Sequence, residues 1–211
     1  DALLDLWNVV LGLAVLFLSR CLGILYFINN VSDAELLPRF RRRLMIESVC
    51  FVVFFVPFVI YVLLKDGFAV DAASGSIVIE SYKYLHNLMA MPWVLSLLLL
   101  GVVAVLFGLG RSILCSTYNK GIWFAGVGTV LAVLALLLTV GYNNTAYYPS
   151  AADLQSSLTL SNSCSSLFTL KTMAYVSVFI PFVLAYIIYA WRAIDRKPIT
   201  ADEMKESDHA Y

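Results

Sequence analysis

Long apolar blocks alternate with short polar connections along the chain, and five blocks are long enough to cross a bilayer. A helix needs about 20 apolar residues to pass a hydrocarbon core of roughly 30 Å. The blocks at 9–28, 44–64, 88–109, 122–140 and 172–191 meet that length. Helices are expected because backbone in hydrocarbon must satisfy its own hydrogen bonds. Pro57 and Pro181 fall in mid-block. Each removes one N–H and frees the carbonyl four residues earlier, at Val53 and Ser177, so a kink is expected at both. Pro92 falls in a first turn, where the missing N–H costs nothing.

Inside the blocks, residue size follows a helical period. The fourth carries Gly121, Ala125, Gly128, Ala132, Ala135 and Thr139. This seam of small residues repeats every 3.5 positions and lets a second helix approach closely. It suits packing within a bundle, or a dimer face. The fifth block carries the bulky stripe Tyr175, Phe179, Phe182, Tyr186 and Tyr189, and the second carries Phe51, Phe54, Phe58 and Tyr61. Bulky seams fit small ones, so the fifth span is expected to pack on the fourth. Lipid, a partner subunit or a quinone ring are other neighbours for such a stripe.

The connections set the direction of the spans. Arg39, Arg41, Arg42 and Arg43 follow the first span, Arg111 and Lys120 flank the third connection, and Arg192, Arg196, Lys197 and Lys205 follow the fifth span. The other side has Lys65, Lys83 and Lys171. By the positive-inside rule the C-terminus is cytoplasmic and the N-terminus outside. On the outer side, 65–87 reads as a small hairpin of Phe68–Val70 and Ile77–Ile79 around a turn at 71–76. The Ser- and Asn-rich stretch 141–171 is long for a loop, so it is functional or packed on the outer surface. Thr200 to Glu203 form a capping-box pattern for a short terminal helix.

Composition narrows the chemistry. Of 211 residues, 61% are hydrophobic and only 13% charged, with a net charge of zero, so the partner is a lipid bilayer and not nucleic acid. Cys21, Cys50, Cys115 and Cys164 lack metal-ligand spacing. His86 and His209 are the only histidines, too few for a buried two-histidine haem site. No catalytic, cofactor-binding or metal-ligating residue is expected in this chain alone. The chain opens at Asp1, without a basic region ahead of the first block, which points to processing or to a fragment of something longer.

Arg20 is the costly residue, about 12 Å from the nearer end of its span. Arginine at that depth must snorkel or pair. Glu47 lies one turn inside the second span, and spans joined by a short connection are antiparallel neighbours. An Arg20–Glu47 contact, direct or through water, is therefore expected. It reads as a staple of the bundle, or as part of a proton path or a contact to a partner's cofactor. Arg20 and the proline-broken spans also suit a small transporter or channel subunit. The small-residue seam alone suits a self-associating structural protein.

Specific text goes beyond periodicity. Gly141-Tyr-Asn-Asn-Thr-Ala-Tyr-Tyr-Pro-Ser150, Leu154-Gln-Ser-Ser-Leu-Thr159, Ser165-Ser-Leu-Phe-Thr-Leu-Lys-Thr-Met173 and Phe179-Ile-Pro-Phe-Val-Leu-Ala-Tyr186 resemble subunit II of the cytochrome bd ubiquinol oxidases. Gly12 to Arg20, Leu63 to Phe68, Tyr82 to Leu88 and Lys120 to Phe124 agree, so the resemblance covers essentially the whole chain. It implies an all-α polytopic membrane protein, here a four-helix bundle plus one additional transmembrane helix. It implies the non-haem-ligating subunit of a quinol:O2 oxidoreductase of the bacterial inner membrane. That subunit scaffolds a haem-bearing subunit I, which holds haems b and d and the quinol. The chain resembles only the C-terminal part of the family, about five of nine spans. The acidic residues of the family's proton path and a structural quinone site belong to the other part, and none is carried over.

Overall fold

The computed structural model describes residues 5–71 and 74–194. The capping box at 200–203, the basic residues Arg196, Lys197 and Lys205, and part of the 71–76 turn lie outside the described residues. Five helical segments are long and apolar enough to cross a membrane: Leu6–Asn30, Leu36–Leu64, Pro92–Leu114, Gly121–Gly141 and Leu167–Ile194. The protein is thus all-α and polytopic.

Helix α1 (Leu6–Asn30) is capped by Asp5, whose carboxylate accepts from the Trp7 N–H at 2.8 Å. Helix α2 (Leu36–Leu64) starts two turns earlier than the apolar block at 44–64. Arginine is a good helix former, so the Arg39–Arg43 run extends the helix beyond its hydrophobic part. The Asp33 carboxylate anchors that start by accepting from the N–H groups of Glu35 and Leu36. Pro57 sits inside α2, which runs through it as one helix. The two helices are antiparallel, and their ring pairs occur in reverse order. Trp7 stacks on Tyr61 at 4.0 Å, Phe17 on Phe54 at 5.7 Å and Phe27 on Phe40 at 5.8 Å.

The block at 88–109 divides differently from its hydropathy. A short helix α3 (Lys83–Ala90) ends at Met91, and α4 (Pro92–Leu114) begins on Pro92. Proline disfavours helical geometry in the residue before it, so the chain breaks at Met91 and restarts. Helix α5 (Gly121–Gly141) returns antiparallel to α4. Its small seam is buried at all six positions. A Cβ on Gly101 of α4 would lie 2.6 Å from the Ala132 nitrogen, and one on Gly108 would lie 2.7 Å from the Gly121 carbonyl oxygen. The two backbones touch, which only glycine permits.

The α1–α2 and α4–α5 pairs pack together as a four-helix bundle. One apolar cluster joins Cys21, Leu25, Leu44, Phe51, Leu109 and Ala125 across all four helices. A second joins Leu88, Met91, Val94, Leu98, Ala132 and Ala135 towards the opposite end. At that end the long connections form a cap. Strand β1 (Gly67–Val70) pairs antiparallel with β2 (Ile77–Glu80), and β3 (Ala146–Tyr148) pairs with β4 (Leu158–Thr159). A bridge between Ala69 and Thr145 ties the two hairpins.

The final span contradicts the expected packing of the fifth on the fourth. It comprises α6 (Leu167–Ser177) and α7 (Ile180–Ile194), broken just before Pro181. All five stripe residues are 67–73% exposed. The physical reason is that α4 already occupies the small seam through Gly101 and Gly108. Helix α7 instead meets the bundle near its last turns, where Trp191 packs edge-on against Tyr26 at 5.9 Å.

Candidate functional site

The polar groups that hydropathy cannot explain gather at the two ends of the bundle. At the end carrying the α1–α2 and α4–α5 turns, here the basic end, Arg20 Nη2 lies 2.7 Å from Glu47 Oε1. The contact is direct. Arg43 Nε reaches the same oxygen at 2.6 Å. The Glu47 side chain is 2% exposed, against 45% for Arg20 and 55% for Arg43. Glu47 Oε2 is buried without a protein partner among the described residues. One enclosed carboxylate therefore holds two guanidiniums that remain open on their far side. Arg43 was not anticipated as a member, although its spacing of four from Glu47 was a usable signal.

Two residues before Arg43, Arg41 does something different. Its guanidinium donates to the carbonyls of Cys115 at 2.9 Å and Ser116 at 2.8 Å, and to Asn119 Oδ1 at 2.8 Å. It also contacts the carbonyl of Ser112. The last carbonyls of a helix have no intrahelical donors and carry partial negative charge. Arg41 fills that position at the C-terminus of α4 and orders the turn to α5. Sequence reading treated it as one of four loop charges. The missed signal was phase: 41, 44, 48 and 51 lie on the buried stripe of α2.

At the cap end, Asn87 is fully buried. Its Nδ2 donates to the Thr139 carbonyl at 3.0 Å and to Thr145 Oγ1 at 2.8 Å. Its Oδ1 accepts from Asn143 Nδ2 at 3.2 Å. Asn143 and Asn144 adopt positive φ of 58° and 52°, a region asparagine tolerates better than most residues. Asn87 thus welds α3, the end of α5 and the β3 loop. On the surface nearby, Glu80 pairs with His86 Nδ1 at 2.9 Å and Lys83 Nζ at 3.3 Å. The hydrogen bond from His86 and then the Lys83 ammonium hold the Glu80 carboxyl below its ordinary value.

A haem iron takes His, Cys, Met or Tyr ligands in an enclosed pocket. His86 is exposed and already bonded to Glu80, and all four cysteines are free and dispersed. No cluster of three His, Cys, Asp or Glu occurs among the described residues. What the arrangement does is fix helices to one another and present two arginines at the basic end.

The sequence profile of the family described as cytochrome bd terminal oxidase subunit II matches residues 1–194. The chain belongs to that family. Subunit II membership makes it a component of a respiratory terminal oxidase complex, an oxidoreductase of the electron-transport system, and implies a partner subunit. Its five apolar helices make it a multi-pass membrane protein. Comparison with individually curated proteins gave no match.

Proposed function

We infer that this subunit II is the scaffold for the haem-bearing subunit of a quinol:O2 oxidoreductase, and ligates no haem itself. The family match over 1–194 carries the reading. Its support in the chain is the disposition of polar side chains. Arg41, Asn87 and the Glu47 cluster are spent on joining helices. Haems b and d and the quinol then belong to the partner. The exposed stripe on α6 and α7 supplies a continuous apolar surface for another subunit or lipid. The basic end, with Arg39, Arg42, Arg43, Arg111, Lys120 and Arg192, faces the cytoplasm of a bacterial inner membrane, and the capped end faces outward.

The test is to purify the chain with its membrane partners and record a reduced-minus-oxidised haem spectrum and quinol oxidase activity. Haem and activity arriving with a larger, histidine-rich subunit are expected. A haem-free homo-oligomer that conducts a solute would replace the scaffold with a channel subunit. An alkaline phosphatase fusion after Tyr211 that is active would reverse the orientation.

A further inference from the structure

Arg20 and Arg43 carry two positive charges against the single negative charge of Glu47, so the cluster holds a surplus cation. Each arginine commits one nitrogen to Glu47 Oε1, Nη2 of Arg20 and Nε of Arg43. The other N–H groups of both forks find no acceptor among the described residues. Both committed nitrogens lie within 2.7 Å of one oxygen, so the guanidiniums converge. Glu47 is enclosed and the arginines are open, so the free donors face away from the protein.

Depth identifies what lies there. Helix α2 has 29 residues, about 43 Å at 1.5 Å per residue, longer than the roughly 30 Å hydrocarbon core. Its arginine-bearing first turns therefore emerge at the basic end. Arg43, about 10 Å from that end, sits near the level where hydrocarbon gives way to headgroups. Arg20 starts deeper and reaches the same oxygen by its long side chain. One turn towards the membrane centre, Leu16 of α1 and Ile46 of α2 are exposed and apolar. Exposed Arg39 and Arg42 strengthen the positive field around the cluster. A guanidinium fork matches phosphate oxygens in shape and charge. We propose that Arg20 and Arg43, oriented by Glu47, bind the phosphate of an anionic phospholipid whose acyl chains lie over Leu16 and Ile46.

The assembled oxidase, stripped of lipid in neutral detergent, is titrated with phosphatidylglycerol or phosphatidylcholine and read by thermal denaturation and native mass spectrometry. Phosphatidylglycerol is expected to be retained and to raise the melting temperature. Arg43→Gln leaves the Arg20–Glu47 contact in place and weakens that binding about tenfold, the worth of one charge-assisted contact. Arg42→Gln removes an equal charge outside the cluster and weakens it a few-fold at most, less than Arg43→Gln does. Arg43→Lys gives a loss of a few-fold and keeps the comparison available if Arg43→Gln does not assemble. The proposal is overturned by equal losses at positions 42 and 43, or by no loss at position 43. Equal protection by phosphatidylcholine overturns it too. So does full protection by inorganic phosphate alone, which would mark a soluble-anion site. Loss of another subunit from Arg43→Gln, with phosphatidylglycerol still bound, would assign the arginines to a protein carboxylate instead.

Discussion

Replacing Arg41 by methionine isolates the role of the clamp at the end of α4. Methionine keeps much of the side-chain length and helix propensity, so the change removes mainly the guanidinium. Three well-formed bonds, to the carbonyls of Cys115 and Ser116 and to Asn119 Oδ1, are lost, together with the contact to the Ser112 carbonyl. A hydrogen bond to a charged group contributes about 1.5–3 kcal/mol net. The carbonyls of Cys115 and Ser116 lie in the turn and regain water once the clamp is gone. Ser112 is fully buried and its carbonyl does not. Counting roughly two bonds as uncompensated gives a loss of about 3–6 kcal/mol. The assay is equilibrium unfolding in a mixed detergent titration, followed by helicity, with Arg42→Met as the exposed control. Arg41→Lys should recover only part of the loss, because an ammonium cannot span acceptors spread over the turn as a planar fork does. Destabilisation by Arg41→Met of less than about 1 kcal/mol, or no larger than that of Arg42→Met, would refute the clamp.

Gly108→Leu should destabilise by about 1–3 kcal/mol or more, because its Cβ meets backbone atoms of α5, whereas Gly110→Ala, with open space around it, should not; thermal melts of both variants decide this. Asn87→Ala should cost about 2–3 kcal/mol and expose the 143–145 turn to proteolysis, measured as the rate of cleavage at the cap. Glu80 is held below its ordinary carboxyl pKa of 4.5, so its contribution to the hairpin is present above that value and lost as the pH falls through the folded value. The protection factors of β2 and α3 amides, corrected for the intrinsic pH dependence of exchange, should therefore fall below pH 4.5, and Glu80→Gln should abolish the change.

Hydropathy made the number of spans legible, and the 3.5-residue repeat made the α5 seam legible. Both depend on periodic burial, which survives in a one-dimensional sequence. Arg20 and Glu47 could be paired because antiparallel neighbours follow from a short connection. Reading failed where a partner came from afar. The seam was visible but its occupant was not, since Gly101 and Gly108 carry no bulk to mark them. Aromatic residues on the last span attracted the assignment that glycines on α4 had already filled. Arg41 looked like its neighbours because hydropathy is blind to which of four clustered arginines turns inward. Asn87 joins segments more than fifty residues apart, so no local pattern announces it.

The cap has a consequence for biogenesis. The first hairpin completes its hydrogen bonding only with residues translated much later. The Ile77 N–H donates to Gln155 Oε1 at 2.9 Å, the Ile77 carbonyl accepts from Gln155 Nε2 at 3.0 Å, and the Val70 N–H donates to the Asn144 carbonyl at 2.8 Å. Four of the described spans must be inserted before residue 70 acquires its final neighbour. Until then the hairpin waits at the membrane surface with open backbone edges, a substrate for chaperones and proteases. Closure of the cap is thus a checkpoint on topology: a chain with either α4 or α5 misinserted would place Gln155 on the wrong side of the bilayer from Ile77.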